Sequence, residues 1–82
     1  MTSHISVQPE AVLGVLTTHF DVPAGTAADT DFQSLDLDSL VLIELAVILK
    51  KQYGVEVDGK ELAAAGTAAK AAALVSKKTA HS

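Results

Sequence analysis

LDSLVLIELAVILKKQY, residues 37–53, decides the fold of this chain because it predicts one strongly apolar helix. Five residues of the stretch recur with the spacing of a single buried helical face: Leu42, Leu45, Ala46, Leu49 and Tyr53. Five more apolar residues lie off that face: Leu40, Val41, Ile43, Val47 and Ile48. Such a helix is either central in a bundle or keeps an apolar surface for a partner.

The start of this helix carries the candidate functional residue, Ser39. Asp38 has the side chain of an N-cap, which accepts a hydrogen bond from a backbone N–H of the first turn. Ser39 then lies just inside the helix, where unpaired N–H groups and the positive end of the helix dipole favour an anion. A phosphate joined to the Ser39 hydroxyl is therefore electrostatically favourable.

The sequence before this helix predicts one more helix and a long connection. Pro9 suits a first helical turn, and the helix then runs to Phe20 with an apolar face of Val12, Val15, Leu16 and Phe20. Residues 21–36, DVPAGTAADTDFQSLD, are polar and lack a period, which predicts a loop. Because Phe32 and Leu35 can pack beneath a bundle, we expect an ordered loop with a short helical turn.

The sequence after Tyr53 predicts two further helices. Gly54 suits the end of the central helix, and Asp58 with Glu61 has the spacing of a capping box for a short helix through Ala65. Thr67 is the predicted N-cap of a last helix whose shared face is Ala71, Leu74 and Val75.

The predicted fold class is all-α, and no segment is a credible strand. We expect a small antiparallel bundle of three longer helices and one short helix, with the long loop between helices 1 and 2. Residues 1–82 form a single domain in this interpretation, ordered from about residue 7 to 77. Met1–Ser6 and Thr79–Ser82 are predicted to be flexible tails.

The composition disfavours several function classes. A net charge of −4 and only three aromatic residues argue against nucleic-acid binding. No apolar run is long enough to span a membrane and no leader is evident, which predicts a soluble, cytoplasmic protein. The chain has no cysteine, and its histidines are scattered, so we expect no thiol of its own and no metal site.

The motif Asp38-Ser39-Leu40, with Phe32 and Leu35 before it and a hydrophobic helix ending in Tyr53-Gly54-Val55 after it, resembles the acyl carrier protein family. The resemblance extends from about Val7 to Val75. It implies that a phosphopantetheinyl transferase attaches 4′-phosphopantetheine to Ser39, with Asp38 and Leu40 beside the attachment point. Intermediates are then held as thioesters on the arm, and the chain itself catalyses nothing.

The resemblance also implies partner enzymes and a surface for them. An acyltransferase or ligase would load the arm, and a ketosynthase or other synthase component would use the cargo of a carrier that is monomeric when free. The expected docking residues lie next to Ser39 at helical spacing: Leu40, Val41, Glu44 and Val47. We also expect the small side chains of residues 63–65 to face helix 2 near Ile43, where an acyl chain could enter unless the helices pack tightly.

Two departures from the family pattern refine the hypothesis. Asp36 stands where members usually have glycine, although aspartate tolerates the left-handed backbone conformation that glycine serves. Helix 2 has few carboxylates, which favours a carrier of polyketide or related secondary metabolism over one of fatty acid synthesis.

The same residues allow two other interpretations. An aminoacyl or peptidyl carrier of nonribosomal synthesis shares the fold and the serine, and a helical interaction module that carries nothing is a third interpretation. Ser39 as a hydrolase nucleophile is disfavoured, because the chain lacks a G-x-S-x-G elbow and is too small for that fold.

Overall fold

A computed structural model describes residues 7–80 of the chain. The elements in this range are α1 (Pro9–Phe20), a 3₁₀ turn (Phe32–Leu35), α2 (Ser39–Tyr53), α3 (Gly59–Ala65) and α4 (Ala68–Ala80). Within these residues the backbone forms no strand beyond one isolated antiparallel bridge between Asp31 and Thr67. The predicted all-α bundle with one short helix is confirmed.

The predicted helix caps are present. The Asp38 carboxylate accepts a hydrogen bond from the Val41 N–H at 3.0 Å, and Asp58 with Glu61 forms a reciprocal capping box. The Thr67 hydroxyl accepts the N–H of Lys70 at 3.1 Å, as expected of an N-cap. These bonds satisfy N–H groups that have no acceptor within the helix, so each cap sets where its helix begins.

The last helix is longer than predicted. α4 continues through Ala80, and the Thr79 hydroxyl donates a hydrogen bond to the Ser76 carbonyl at 2.7 Å. The last turn of α4 thus includes residues 79 and 80, and the Thr79 hydroxyl has a partner inside that turn. His81, Ser82 and Met1–Ser6 lie outside the described residues.

The core is built from the predicted faces of α1 and α2 and, on α4, from two of the three predicted residues, Ala71 and Val75. Leu16, Leu45, Leu49 and Leu62 are among the largest fully buried side chains. On α4 the buried residues follow one helical stripe: Ala68, Ala71, Ala72 and Val75. Leu74 is only partly buried, because the small alanines face inward and let α4 pack closely against α1.

The long loop is ordered, as predicted, because it is attached to the junction between α3 and α4. The N–H of Phe32 donates to the Gly66 carbonyl at 2.8 Å, and the N–H of Ala69 donates to the Ala28 carbonyl at 2.9 Å. The Phe32 side chain is 3% exposed, and Leu35 packs against the core. The starts of α2 and α4 are thereby held at the same end of the bundle.

The opposite end is closed by Ser76. The N–H of Val7 donates to the Ser76 hydroxyl oxygen at 2.7 Å, and that hydroxyl donates to the Val7 carbonyl at 3.2 Å. Val7 precedes α1 and Ser76 lies near the end of α4, so these two helices run antiparallel. Among residues 7–80, no helix is long and apolar enough to cross a membrane.

Candidate functional site

Ser39 is the first residue of α2 and its side chain is exposed. Asp38 adopts an extended backbone conformation, and its carboxylate is held by the Val41 N–H while its carbonyl accepts the N–H of Leu42 at 3.0 Å. The N–H groups of Ser39 and Leu40 precede the first intrahelical bond and therefore have no acceptor within the helix. The site presents a hydroxyl where the helix terminus stabilises negative charge.

A groove of ≈ 510 Å³ adjoins Ser39. Three buried apolar residues contribute to its lining: Phe32, Leu37 and Leu42. Ala63 of α3 and Gly66, the residue after α3, also line the groove, and polar residues complete the lining: Asp31, Gln33 and Asp38. The lining contains no histidine, so it offers no imidazole base to activate the serine.

The α2 surface beyond Ser39 has one apolar stripe. Leu40, Ile43 and Val47 are 64%, 51% and 47% exposed, and Glu44 is exposed beside them. Of the residues expected to dock partners, Val41 is different, because it is half-buried and packs against the core. Ile43 lies three residues after Leu40 and four before Val47 and therefore shares this face, although it is not among the docking residues that the sequence predicts.

Asp36 adopts the left-handed conformation that was expected to be tolerated. Its φ is 58° and its ψ is 31°, and its N–H donates to the Gln33 carbonyl at 3.2 Å. Aspartate enters this region more readily than most residues other than glycine. The turn before Ser39 is therefore formed without a glycine.

The expected arrangement of residues 63–65 is correct only in part. Ala63 lines the groove beside Ser39, but Ala64 and Ala65 line a different groove, towards α4. The residue of α3 that approaches Ile43 is Gly59, where a Cβ would lie 2.9 Å from Ile43 Cγ1. α2 and α3 are thus in direct contact at this point, and the open space is near Ser39 instead.

A helical bundle with an exposed serine at the start of an apolar helix, beside a groove, has the form of a carrier domain. A family model described as "Phosphopantetheine attachment site" matches residues 10–75, and the chain belongs to this family. No curated protein and no solved structure matches the chain.

Membership defines the cofactor and the class of function. Domains of this family are the site of covalent 4′-phosphopantetheine attachment, so the protein is a phosphopantetheine-carrying carrier protein. Such domains interact with a phosphopantetheinyl transferase and with synthase partners. The residues at the start of α2 fit this group, because an exposed hydroxyl, two first-turn N–H groups and a groove lie together there.

Proposed function

We propose that Ser39 is the residue to which 4′-phosphopantetheine is attached. The observation that carries this proposal is the placement of its exposed hydroxyl at the N-terminus of α2. The other serines in residues 7–80 are in different settings: Ser34 lies in the 3₁₀ turn, and the Ser76 hydroxyl is bonded to Val7. Neither begins an apolar helix.

The chain's own contribution to attachment is position and electrostatics. Ser39 Oγ forms a new bond to the phosphorus of coenzyme A that bears the pantetheine group, while the phosphoanhydride bond at that phosphorus breaks and 3′-phosphoadenosine 5′-phosphate leaves. The groove lining offers no histidine, and the proton of the serine passes to a base that the transferase supplies. The N–H groups at the start of α2 stabilise the phosphodiester charge once it is present. When attached, the arm supplies the thiol that this cysteine-free chain lacks, and its cargo is carried as a thioester.

Intact-protein mass spectrometry tests the attachment residue. The protein is incubated with coenzyme A and a broad-specificity phosphopantetheinyl transferase, and we expect the wild type to gain the mass of one phosphopantetheine group. Ser39→Ala should gain none, whereas Ser34→Ala, a matched change at another exposed serine, should be modified like the wild type. Modification of Ser39→Ala would overturn the proposal.

We infer that the cargo is an acyl group of polyketide or related secondary metabolism and that the chain itself catalyses nothing. The support for the cargo class is the α2 surface, where Glu44 is the only charged residue before Lys50, and the support for the absence of catalysis is membership of a carrier family. The carrier presented to an acyltransferase with malonyl coenzyme A should gain a malonyl group. Loading by an amino-acid-adenylating enzyme, with no acyl loading, would favour the aminoacyl carrier instead.

We further propose that partner enzymes dock on the stripe formed by Leu40, Ile43, Glu44 and Val47. These residues share one exposed face of α2, and the face begins beside Ser39. A partner must approach this end of α2 to reach the arm. Because three of the four side chains are apolar, we expect their burial, rather than ion pairing, to dominate the association.

A further inference from the structure

We propose that the Asp36 carboxylate is a recognition group for the phosphopantetheinyl transferase, where it contacts a cationic side chain of that enzyme beside Ser39. The proposal rests on the proposed role of Ser39. Asp36 lies three positions before Ser39. It neither caps α2 nor lines the groove beside Ser39.

The backbone at Asp36 does not need a carboxylate. Its φ of 58° lies in the left-handed region, which glycine enters freely and asparagine tolerates as aspartate does. The turn is held by main-chain bonds: the Asp36 N–H donates to the Gln33 carbonyl, and the Leu37 N–H donates to the Phe32 carbonyl. Asparagine or glycine at position 36 would keep these bonds, so local folding does not account for the charge.

The carboxylate also has no partner inside the described part of the chain. Asp36 is exposed and makes no side-chain hydrogen bond or ion pair within residues 7–80. It lines a shallow depression of ≈ 270 Å³ with Gln33, Leu37 and Asp38, and no lysine lines this depression or the groove beside Ser39. The Asp38 carboxylate, by contrast, is bonded to the Val41 N–H at the positive end of the helix. Within residues 7–80, Asp36 therefore carries an unpaired charge near Ser39, as does Asp31 in the groove lining. Of the two, Asp36 is the one on the turn that leads into Asp38 and Ser39.

The transferase is expected to present cationic side chains near Ser39, because its other substrate is coenzyme A. Coenzyme A carries several phosphate charges, which a transferase binds with lysine and arginine side chains. Those cations lie near the phosphorus that Ser39 Oγ must reach. An exposed carboxylate on the rigid turn before Ser39 approaches the same region when the two proteins associate, and it attracts the cationic rim.

The charge of Asp36 has two opposite effects on modification, and they can be distinguished because one changes KM and the other changes kcat. Attraction between Asp36 and the transferase lowers the KM for the carrier, because it acts on association. Repulsion between Asp36 and the incoming phosphate lowers kcat, because it acts on the transfer step. We expect the first effect to dominate, since an exposed carboxylate reaches the enzyme surface whereas the phosphate charge is already neutralised in the coenzyme A pocket.

The test compares Asp36→Asn and Asp36→Gly with a matched control. Within residues 7–80, two residues other than glycine have a positive φ, Asp36 and Asp21. Asp21 has a φ of 60° and follows the last residue of α1. Asp21→Asn removes the same charge from the same backbone conformation, and Asp21 lines neither depression beside Ser39. The kinetics of modification with coenzyme A and a broad-specificity transferase are measured for each variant at low and high salt.

We expect both position-36 variants to raise the KM for the carrier about two- to fivefold at low salt, the range for one exposed ion pair, with kcat unchanged. The difference should vanish near 1 M salt, where the Debye length is about 3 Å. Asp21→Asn should match the wild type. An unchanged KM in Asp36→Asn, or a raised kcat alone, would overturn the proposal while leaving Ser39 in place. Lack of modification of the wild type would instead overturn the assignment of Ser39.

Discussion

The contact between α2 and α3 can be tested by adding one methyl group at Gly59. A Cβ built on Gly59 would lie 2.9 Å from Ile43 Cγ1, 3.2 Å from the Ile43 N and 3.3 Å from its Cα. Two of these atoms belong to the α2 backbone, which cannot move aside as a flexible side chain can. Gly59→Ala therefore forces α3 away from α2, and we expect this overpacking to cost about 1–3 kcal/mol.

Gly14→Ala is the matched control, because it adds the same methyl group to another helical glycine. Gly14 lies within α1, is exposed, and would have nothing within 4 Å of an added Cβ. There the higher helix propensity of alanine acts alone and should stabilise the fold by about 0.5–1 kcal/mol. At Gly59 the same gain is smaller, since the residue is the first of its helix, and we expect a net loss of about 1–2 kcal/mol.

Urea unfolding followed by far-ultraviolet circular dichroism measures both changes. The midpoint should rise for Gly14→Ala and fall for Gly59→Ala, with the denaturant dependence of the unfolding free energy unchanged. In a domain of this size, 1 kcal/mol corresponds to a shift in Tm of about 4–8 °C. A Gly59→Ala protein as stable as the wild type would refute the close approach of α3 to Ile43.

Three further predictions test the caps and the docking stripe. Asp38→Ala removes the acceptor of the Val41 N–H and should lower the unfolding free energy by about 1 kcal/mol in the same urea assay. Asp38→Asn retains an oxygen that can accept this bond, so its unfolding free energy should be close to that of the wild type. Ser76→Ala removes both bonds to Val7 and should cost about 1–2 kcal/mol; a change no larger than for Ser34→Ala would contradict the bonding role. Val47→Asp should impair acyl transfer by the dedicated partner more than Glu44→Gln does, with weak dependence on salt; a steep loss with salt would show that charged residues carry recognition.

The sequence predicted those parts of the fold that depend on local chemistry. The bounds of α1 and α2 follow from Pro9, Asp38 and Gly54, each of which has a conformational or capping preference that acts within one turn. Ser39 could be proposed from the sequence for the same reason, because an N-cap followed by an apolar helix defines where its hydroxyl lies.

The features that the sequence did not predict depend on tertiary packing. The sequence places Leu74 in the core, but it is only partly buried, and three alanines and Val75 face inward on α4 instead. The close contact at Gly59 was missed, since a glycine after an N-cap carries no signal about a distant helix. The solvent-exposed position of Ile43 could not be predicted either. α2 is apolar nearly all round, so hydrophobicity alone does not show which of its faces is buried.

The main-chain bonds that join the long loop to the junction of α3 and α4 have a consequence for hydrogen exchange. The amide of Phe32 is bonded to Gly66, and the amide of Ala69 is bonded to Ala28, so neither segment can open without releasing the other. The two amides should therefore exchange with solvent through one shared opening event and with similar protection factors. Because the loop leads directly into Ser39, this opening would also release the start of α2. The rate of the opening would therefore limit how long Ser39 stays in its folded position at the helix terminus.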